Sequence, residues 1–532
     1  MAKVDLETLG RNSIVAGLAE IWRIISRFIL TPVIIAAIGL EGYGTWTLVF
    51  SVAAYVSMAN ASMGLAYTKL TAECVHEGNY DRLQRVLGSG MTGIGSVAIV
   101  GLVATLVFGE GILDALGVPT DQVHDANIAL TLVMATLVMR MTVGCAHEVL
   151  AGLQRIDLTY RLMILASIID FAVTLPLLLA GWGLVGLGIG HIVGQIVANL
   201  GAWRYMRRQL PQVRLNPLSM SREGFRVVFG IGGKFQLLSL VNTVVMHGVK
   251  FLIAALIGVR WVGVYELADK LLSLGKAASA AVVAPLMPAF ANLQASRDKL
   301  RERALFFAGS KADALIGGSS LVFLALFSAP VLLAWTGEFV PEAAWALQMM
   351  VLGEGLFILT SVVSSSLRAQ GKVGMEFTAA MVVTVLVVLL VIPLAPWLGF
   401  EGVIYARVVA QTIGAIWYIR AYLHSEGVTV AEYLQRTRIG WLLGIMAVLG
   451  GATSLARHLL PWVPGGLSPR WAAVFTVVVW GAPFGLALMV AAWKIFLTAD
   501  ERHQLSSTVR RVLARRFGRG RAAEPPVSPP EP

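Results

Sequence analysis

Apolar stretches of about 20 residues follow one another from end to end of the chain, separated by short polar segments. They lie near 12–38, 44–67, 91–108, 127–150, 158–179, 184–205, 227–256, 262–287, 312–335, 343–365, 377–394, 398–422, 439–456 and 472–496. Each is long enough to cross the hydrocarbon of a bilayer as a helix, the form that satisfies its own backbone in lipid. The pattern predicts an all-α integral membrane protein with fourteen transmembrane helices.

The polar segments set an orientation. With the N-terminus inside, the inner loops hold Lys69, Arg82, Arg85, Arg155, Arg204, Arg207, Arg208, Arg214, Arg222, Arg226, Arg297, Lys299, Arg301, Arg303, Arg368 and Lys372. With both termini the inner total is about 30 Lys and Arg, against Arg260, Arg457 and Arg470 outside. Gly109–Asp125 carries Glu110, Asp114, Asp121 and Asp125 and no Lys or Arg. Lys and Arg are retained on the cytoplasmic side, so both termini are expected there.

Composition agrees with lipid as the solvent. The chain is 57% hydrophobic and 14% charged, where soluble domains carry about 25% charge. The net charge of +11 is compatible with a nucleic-acid partner, but the basic residues sit in loops and one tail, and no base-reading module appears, so none is expected. Cys74 and Cys145 allow neither a disulfide framework nor a CxxC metal site. Glu20, Arg23 and Arg27 interrupt the first apolar stretch, which reads as a retained span rather than a cleaved signal. No Walker A, HExxH or GxSxG sequence is present, and the cytoplasmic loops, about 10–25 residues long, are too short for a catalytic domain. No enzyme activity, metal or cofactor is expected.

A repeat recurs at a spacing of about 215–220 residues. Ile38-Gly39-Leu40-Glu41-Gly42-Tyr43-Gly44-Thr45-Trp46 parallels Ile257-Gly258-Val259-Arg260-Trp261-Val262-Gly263-Val264-Tyr265. Trp182, Gly186, Gln195 and Trp203 are echoed by Trp397, Gly402, Gln411 and Trp417. Six spans separate the copies, so both start on the same side, as in parallel transporter repeats. The expected organisation is a six-helix lobe over 1–210, a second over 222–425, two additional helices over 426–498, and a basic, Pro-rich cytoplasmic tail over 499–532.

Charges inside the spans are costly and face a cavity or a partner. Span 1 lines up Ser13, Glu20, Arg23, Arg27 and Thr31 on one face, and span 7 lines up Gln236, Ser239, Thr243, His247 and Lys250. Span 8 carries Glu266, Asp269, Lys270 and Ser273. Arg140 and His147 share a face of span 4, Asp170 stands alone in span 5, and Arg407 lies in span 12. One reading is local helix–helix ion pairs: Glu20 with Arg23 or Arg27, and Glu266 or Asp269 with Lys270. The other is a wet cavity between the lobes, which explains why the first helices of both copies carry polar stripes. Cations outnumber carboxylates there, so such a cavity attracts anions. His191 and Glu354 read as packing or hydrogen-bonding residues, and the glycines from Gly181 to Gly194 as sites of close helix packing.

Several segments resemble a known family: Asn12-Ser13-Ile14 leading to Ile38 through Gly44; Leu153-Gln154-Arg155-Ile156-Asp157; Val262 through Ala268; and Ala369-Gln370-Gly371-Lys372. They are similar to the polysaccharide-transporter, O-antigen flippase branch of the multidrug/oligosaccharidyl-lipid/polysaccharide exporter superfamily. The resemblance implies two six-helix lobes with alternating access in a bacterial inner membrane, a polyprenyl-diphosphate-linked oligosaccharide as cargo, and ion coupling rather than ATP. Besides membrane lipids, the glycan polymerase and glycosyltransferases of the same pathway become candidate partners. Cavity cations are the expected diphosphate ligands, here Arg23, Arg27 and Arg140 by position, with Lys250 and Arg407 from the second lobe. The carboxylates at membrane depth, Glu20, Asp170, Glu266 and Asp269, are the candidates for ion coupling.

Three alternatives stay open. A drug/cation antiporter of the same superfamily calls for an acidic cavity, whereas the excess here is basic. A lipid II flippase fits the same residues. A membrane glycan polymerase or ligase normally needs a sizeable extracytoplasmic loop, and none here exceeds about 20 residues.

Overall fold

The computed structural model describes residues 6–60, 63–460, 466–503 and 506–507; within these, the side chains of most residues over 6–27 and 223–245 are not described. Every long element among the described residues is a helix. The first seven are α1 (Leu6–Ser57), α2 (Met63–Glu77), α3 (Tyr80–Ala115), α4 (Thr120–Met141), α5 (Cys145–Gly152), α6 (Ile156–Leu179) and α7 (Gly183–Gln209). A linker leads to α8 (Arg222–Ile257), α9 (Val259–Val283), α10 (Leu286–Ala295), α11 (Lys299–Leu326), α12 (Ser328–Thr336) and α13 (Pro341–Phe357). The chain continues through α14 (Thr360–Ala369), α15 (Gly374–Leu398), α16 (Phe400–Ser425), α17 (Val430–Thr437), α18 (Ile439–Leu459) and α19 (Pro469–Ala491), which ends in a π turn over Ala492–Phe496.

Eleven helices among the described residues are long and apolar enough to cross a membrane, twelve if the bent pair α11–α12 forms one span. The predicted fourteen is not reached on this basis. The first predicted span is merged into α1, and the seventh lies in α8, where many side chains are not described. Val100, Leu106, Val107 and Phe108 on α3, Leu389 on α15, and Leu486 and Met489 on α19 are exposed. Such apolar faces suit lipid and not water.

The helices up to α7 pack mainly among themselves: α6 against α7 and α1, α3 against α4, and α4 against α7. From α8 onward, α9 packs on α11 and α13, and α16 on α13 and α15, with α8 alongside α15. Small residues make this closeness possible. A Cβ at Gly194 of α7 would lie 2.6 Å from the Ala166 carbonyl of α6. The linker is bound to α3: Ser219 donates to the Gln84 carbonyl at 3.1 Å and Thr92 to that of Pro217 at 2.8 Å. The last two long helices pack on each other, and α19 packs on α12.

Candidate functional site

The two halves meet along α1 and α9, and the sequence repeat makes that contact. Gly39 (φ 72°) and Gly258 (φ 103°), equivalent in the repeat, both take a left-handed backbone that L side chains rarely adopt. Each starts a helical segment whose sixth residue is again glycine, Gly44 or Gly263. A Cβ at Gly44 would collide with the Val259 carbonyl, and one at Gly263 with the Leu40 carbonyl. Backbone therefore touches backbone across the seam, and the contact is self-complementary because both copies supply the same motif.

Below that contact lie the polar residues. Lys270 of α9 donates to Thr31 Oγ1 of α1 at 3.1 Å, with its ammonium 5.0 Å from the Tyr43 ring centre. His247 Nδ1 of α8 and Ser51 Oγ of α1 are 3.1 Å apart. These described cross-seam contacts pair a cation with a hydroxyl and a ring, and an imidazole with a hydroxyl. Among the described residues, several charge pairs join helices of the C-terminal half. Lys250 of α8 meets Glu266 of α9 at 2.6 Å. Arg407 of α16 donates to Asp269 Oδ1 of α9 at 2.8 Å and to the Tyr265 hydroxyl. Lys276 of α9 pairs with Glu354 of α13 at 3.4 Å, and Gln411 donates to the same carboxylate at 3.0 Å. Lys250 and Arg407 are buried, and a buried charge is tolerated where its partner and remaining hydrogen bonds are in place.

The pairing of Glu266 or Asp269 with Lys270 read from sequence gives way to longer-range ones. Glu266 and Asp269 turn to Lys250 and Arg407, while Lys270 reaches across the seam. Three- and four-residue spacing makes helical neighbours, but another helix can present a guanidinium fork with better geometry. Arg140 and His147 do not share one helix face, because α4 ends at Met141 and α5 starts at Cys145. An unbroken helix would set Arg140 and Glu148 about 12 Å apart along its axis; the break brings them to 2.7 Å. Gly144 permits it, since a Cβ there would collide with the Arg140 carbonyl. Asp170 is not alone: Thr174 donates to Oδ1 at 3.0 Å, and His191 Nδ1 lies 3.8 Å from Oδ2. His191 also stands edge-on to Phe50 at 5.2 Å. The side chains of Glu20, Arg23 and Arg27 lie outside those described. Sequence reasoning missed Glu148 and Tyr265 as partners, because nothing in local spacing marks a contact made by a break or by another helix.

The arrangement is a seam between two repeat-related helical halves, with buried ion pairs beside it. Solved structures share this fold. A lipid II flippase, MurJ, in an inward closed conformation superposes with a TM-score of 0.69 at 14% identity, covering 90% of this chain and 98% of that one. An inward-facing multidrug resistance MATE transporter of the MOP superfamily superposes with a TM-score of 0.64 at 15% identity, covering 79% and 98%. The chain therefore has the fold of the lipid II flippase and of the MATE transporter of the MOP superfamily. Residues 126–339 match the family model of polysaccharide biosynthesis proteins. A putative O-antigen transporter of Shigella flexneri is 19% identical over 366 residues, 66% of this chain and 84% of that protein. These exporter relatives are transporters and flippases rather than enzymes.

Proposed function

We propose that this protein is a flippase for a polyprenyl-diphosphate-linked oligosaccharide, a repeat unit of O-antigen, capsule or exopolysaccharide, in a bacterial inner membrane. The observation that carries this reading is the match of residues 126–339 to polysaccharide biosynthesis proteins. The O-antigen transporter relative supports it. In this reading residues 1–210 and 222–425 are the two moving lobes, 426–498 add two helices, and both termini are cytoplasmic. Arg23, Arg27, Arg140, Lys250 and Arg407 receive the diphosphate, and Glu20, Asp170, Glu266 and Asp269 couple its passage to an ion.

The ion pairs supply a physical route for coupling. Arg140, Lys250 and Arg407 each hold a carboxylate at 2.6–2.8 Å. An arriving diphosphate offers the same cations more oxygens and more charge. The displaced carboxylate is then left without its cation in poorly solvated surroundings, which favours the protonated form. Substrate binding and proton uptake become one exchange, and release reverses it.

The fold likeness to the lipid II flippase supports a second reading, with lipid II as the cargo. A drug/cation antiporter of the same superfamily is less well matched, because an inventory of Lys250, Lys270 and Arg407 beside the seam suits an anion. Proteoliposomes holding the purified protein, loaded separately with an O-antigen-type lipid-linked repeat unit and with lipid II, decide among them. Translocation of the first and not the second is expected. Preference for lipid II would transfer the protein to the second reading, and movement of neither would reject both.

A further inference from the structure

Asp313 has a setting unlike that of the other carboxylates around it. It sits in the middle of α11, fully buried, and neither carboxylate oxygen has a hydrogen-bond partner. Nearby carboxylates of the C-terminal half have a cation within 3.4 Å: Glu266 has Lys250, Asp269 has Arg407, Glu354 has Lys276 and Glu302 has Lys299. Asp313 has no such cation among the described residues. A bare carboxylate so enclosed is too costly to keep, whereas the neutral acid is tolerated.

Its surroundings are polar but uncharged. Ser279 of α9 faces it. A Cβ at Gly317 would lie 2.9 Å from Ser279 Cβ and 3.1 Å from Asp313 Oδ1, so the three positions share one tightly packed point. The Ser310 and Tyr433 hydroxyls are also buried and face each other. Tyr433, on α17, is the titratable group facing Asp313 from that helix. Lys311 turns away to Glu501 at 2.6 Å, Lys276 is held by Glu354, and Ile358 closes the side toward α13. Asp313 lies two residues, about 3 Å along the helix, beyond Lys311, which still reaches the polar segment after α19. On the side of Asp313, α17 packs on α11 and brings Tyr433 against the carboxyl. This eight-residue helix is tied to α11 by Arg303, which donates to both oxygens of Glu432 at 3.0 and 3.1 Å, and by the Tyr433 ring against Phe306 and Phe307; the ion pair is the part of that hold that can be remade in water.

We propose that Asp313 is a proton-carrying residue of the C-terminal half, protonated while α17 covers it and releasing its proton to water when α17 lifts. On release the acid O–H gives H⁺ to water and leaves a carboxylate; on closure the carboxylate takes one proton back. The use of that proton in transport rests on the flippase reading, but the protonated state does not.

Infrared spectroscopy of the purified protein at neutral pH, without cargo, tests the state directly. Wild type should show a protonated carboxylic acid C=O band that Asp313→Asn lacks; absence of that difference overturns the proposal. Glu432→Gln, which weakens the hold on α17 and leaves Asp313 intact, should make the band shift several-fold faster in D₂O. An unchanged rate rejects α17 as the cover. In proteoliposomes containing the lipid-linked repeat unit, Asp313→Asn should lose the acceleration given by an imposed pH gradient. An undiminished response, or acceleration that follows a sodium gradient instead, overturns the carrier role. If no cargo moves in wild type, only the flippase reading fails and the infrared result stands.

Discussion

The indole N–H of Trp335, on α12, donates to the Phe28 carbonyl of α1 at 2.7 Å, and the two rings stack 4.3 Å apart. That carbonyl is the one Pro32 leaves without its helical donor, since proline has no N–H to give to the residue four positions earlier. A defect in the first helix is thus filled from the other half of the molecule.

The bond predicts a specific cycle. Trp335→Phe keeps a ring for stacking but strands the Phe28 carbonyl, at a cost of about 1–3 kcal/mol. Pro32→Ala supplies the missing N–H, so the Trp335→Phe loss should shrink in that background. Thermal unfolding in detergent of the four proteins measures the coupling; equal losses in both backgrounds would deny it.

Orientation is testable without any cargo. The arginine asymmetry predicts a cytoplasmic Arg208 and C-terminus and an Asp121 on the far side. Reporter fusions at these three positions should read cytoplasmic, cytoplasmic and periplasmic. A periplasmic Arg208 would break the alternation of fourteen spans.

Helix positions were legible because the hydropathy pattern and lipid impose them almost alone. Each predicted segment lies largely on helix, and the repeat around Gly39 and Gly258 was legible as a repeat but not as the contact between the two halves. The pairings were not legible. Asp269 and Arg407 are 138 residues apart, and Trp335 and Phe28 are 307 apart; no local period encodes such distances. Arg457 and Arg470 were read only as topological charges, yet Arg457 donates to the Leu326 carbonyl and Arg470 to those of Ala334 and Trp335. They satisfy carbonyls that the 75° bend between α11 and α12 and the end of α12 leave open. Asp313 drew no notice in the sequence, and its enclosure depends on α9 and α17.

The segment after α19 should loosen in acid. Burial pushes the Glu501 carboxyl up, but the bonds from Lys311 and Thr498 outweigh it and hold the group below the ordinary glutamate value. Because the folded value is depressed, the stabilisation is present above the ordinary glutamate range and is lost as pH falls through the depressed value. Trypsin cleaves too poorly there, so an acid-active protease should be used; cleavage near Thr498 should accelerate several-fold on acidification. Glu501→Gln should be cut fast at every pH. A wild-type rate independent of pH would reject the Lys311–Glu501 latch.

The seam glycines should be intolerant of a single methyl group. Gly44→Ala and Gly263→Ala place a Cβ against backbone carbonyls that have no side chain to swing aside. Each should lose about 1–3 kcal/mol, the usual range for overpacking. Gly355→Ala, where nothing lies within 4 Å, is the control and should be near neutral. Differential scanning measurements that rank the three alike would remove the seam from the argument.

The last prediction separates a structural ion pair from a substrate ligand. Removing Arg407 alone strands Asp269 against buried surroundings, and losing one partner of a buried pair costs about 3–5 kcal/mol. Arg407→Met should therefore fold poorly, and Asp269→Asn added to it should recover much of that stability. Function need not follow stability. If Arg407 merely neutralises Asp269, the double variant should regain translocation of the lipid-linked repeat unit together with its fold. If Arg407 takes the diphosphate from Asp269, the double variant should be stable and inactive, because methionine offers phosphate no N–H fork. Stability and translocation measured on the same preparation tell the two apart. Arg27→Ala, with Glu20→Gln plus Arg27→Gln as its paired control, applies the same logic in the first helix. Restored transport in both double variants would leave the proposed diphosphate grip without these two ligands.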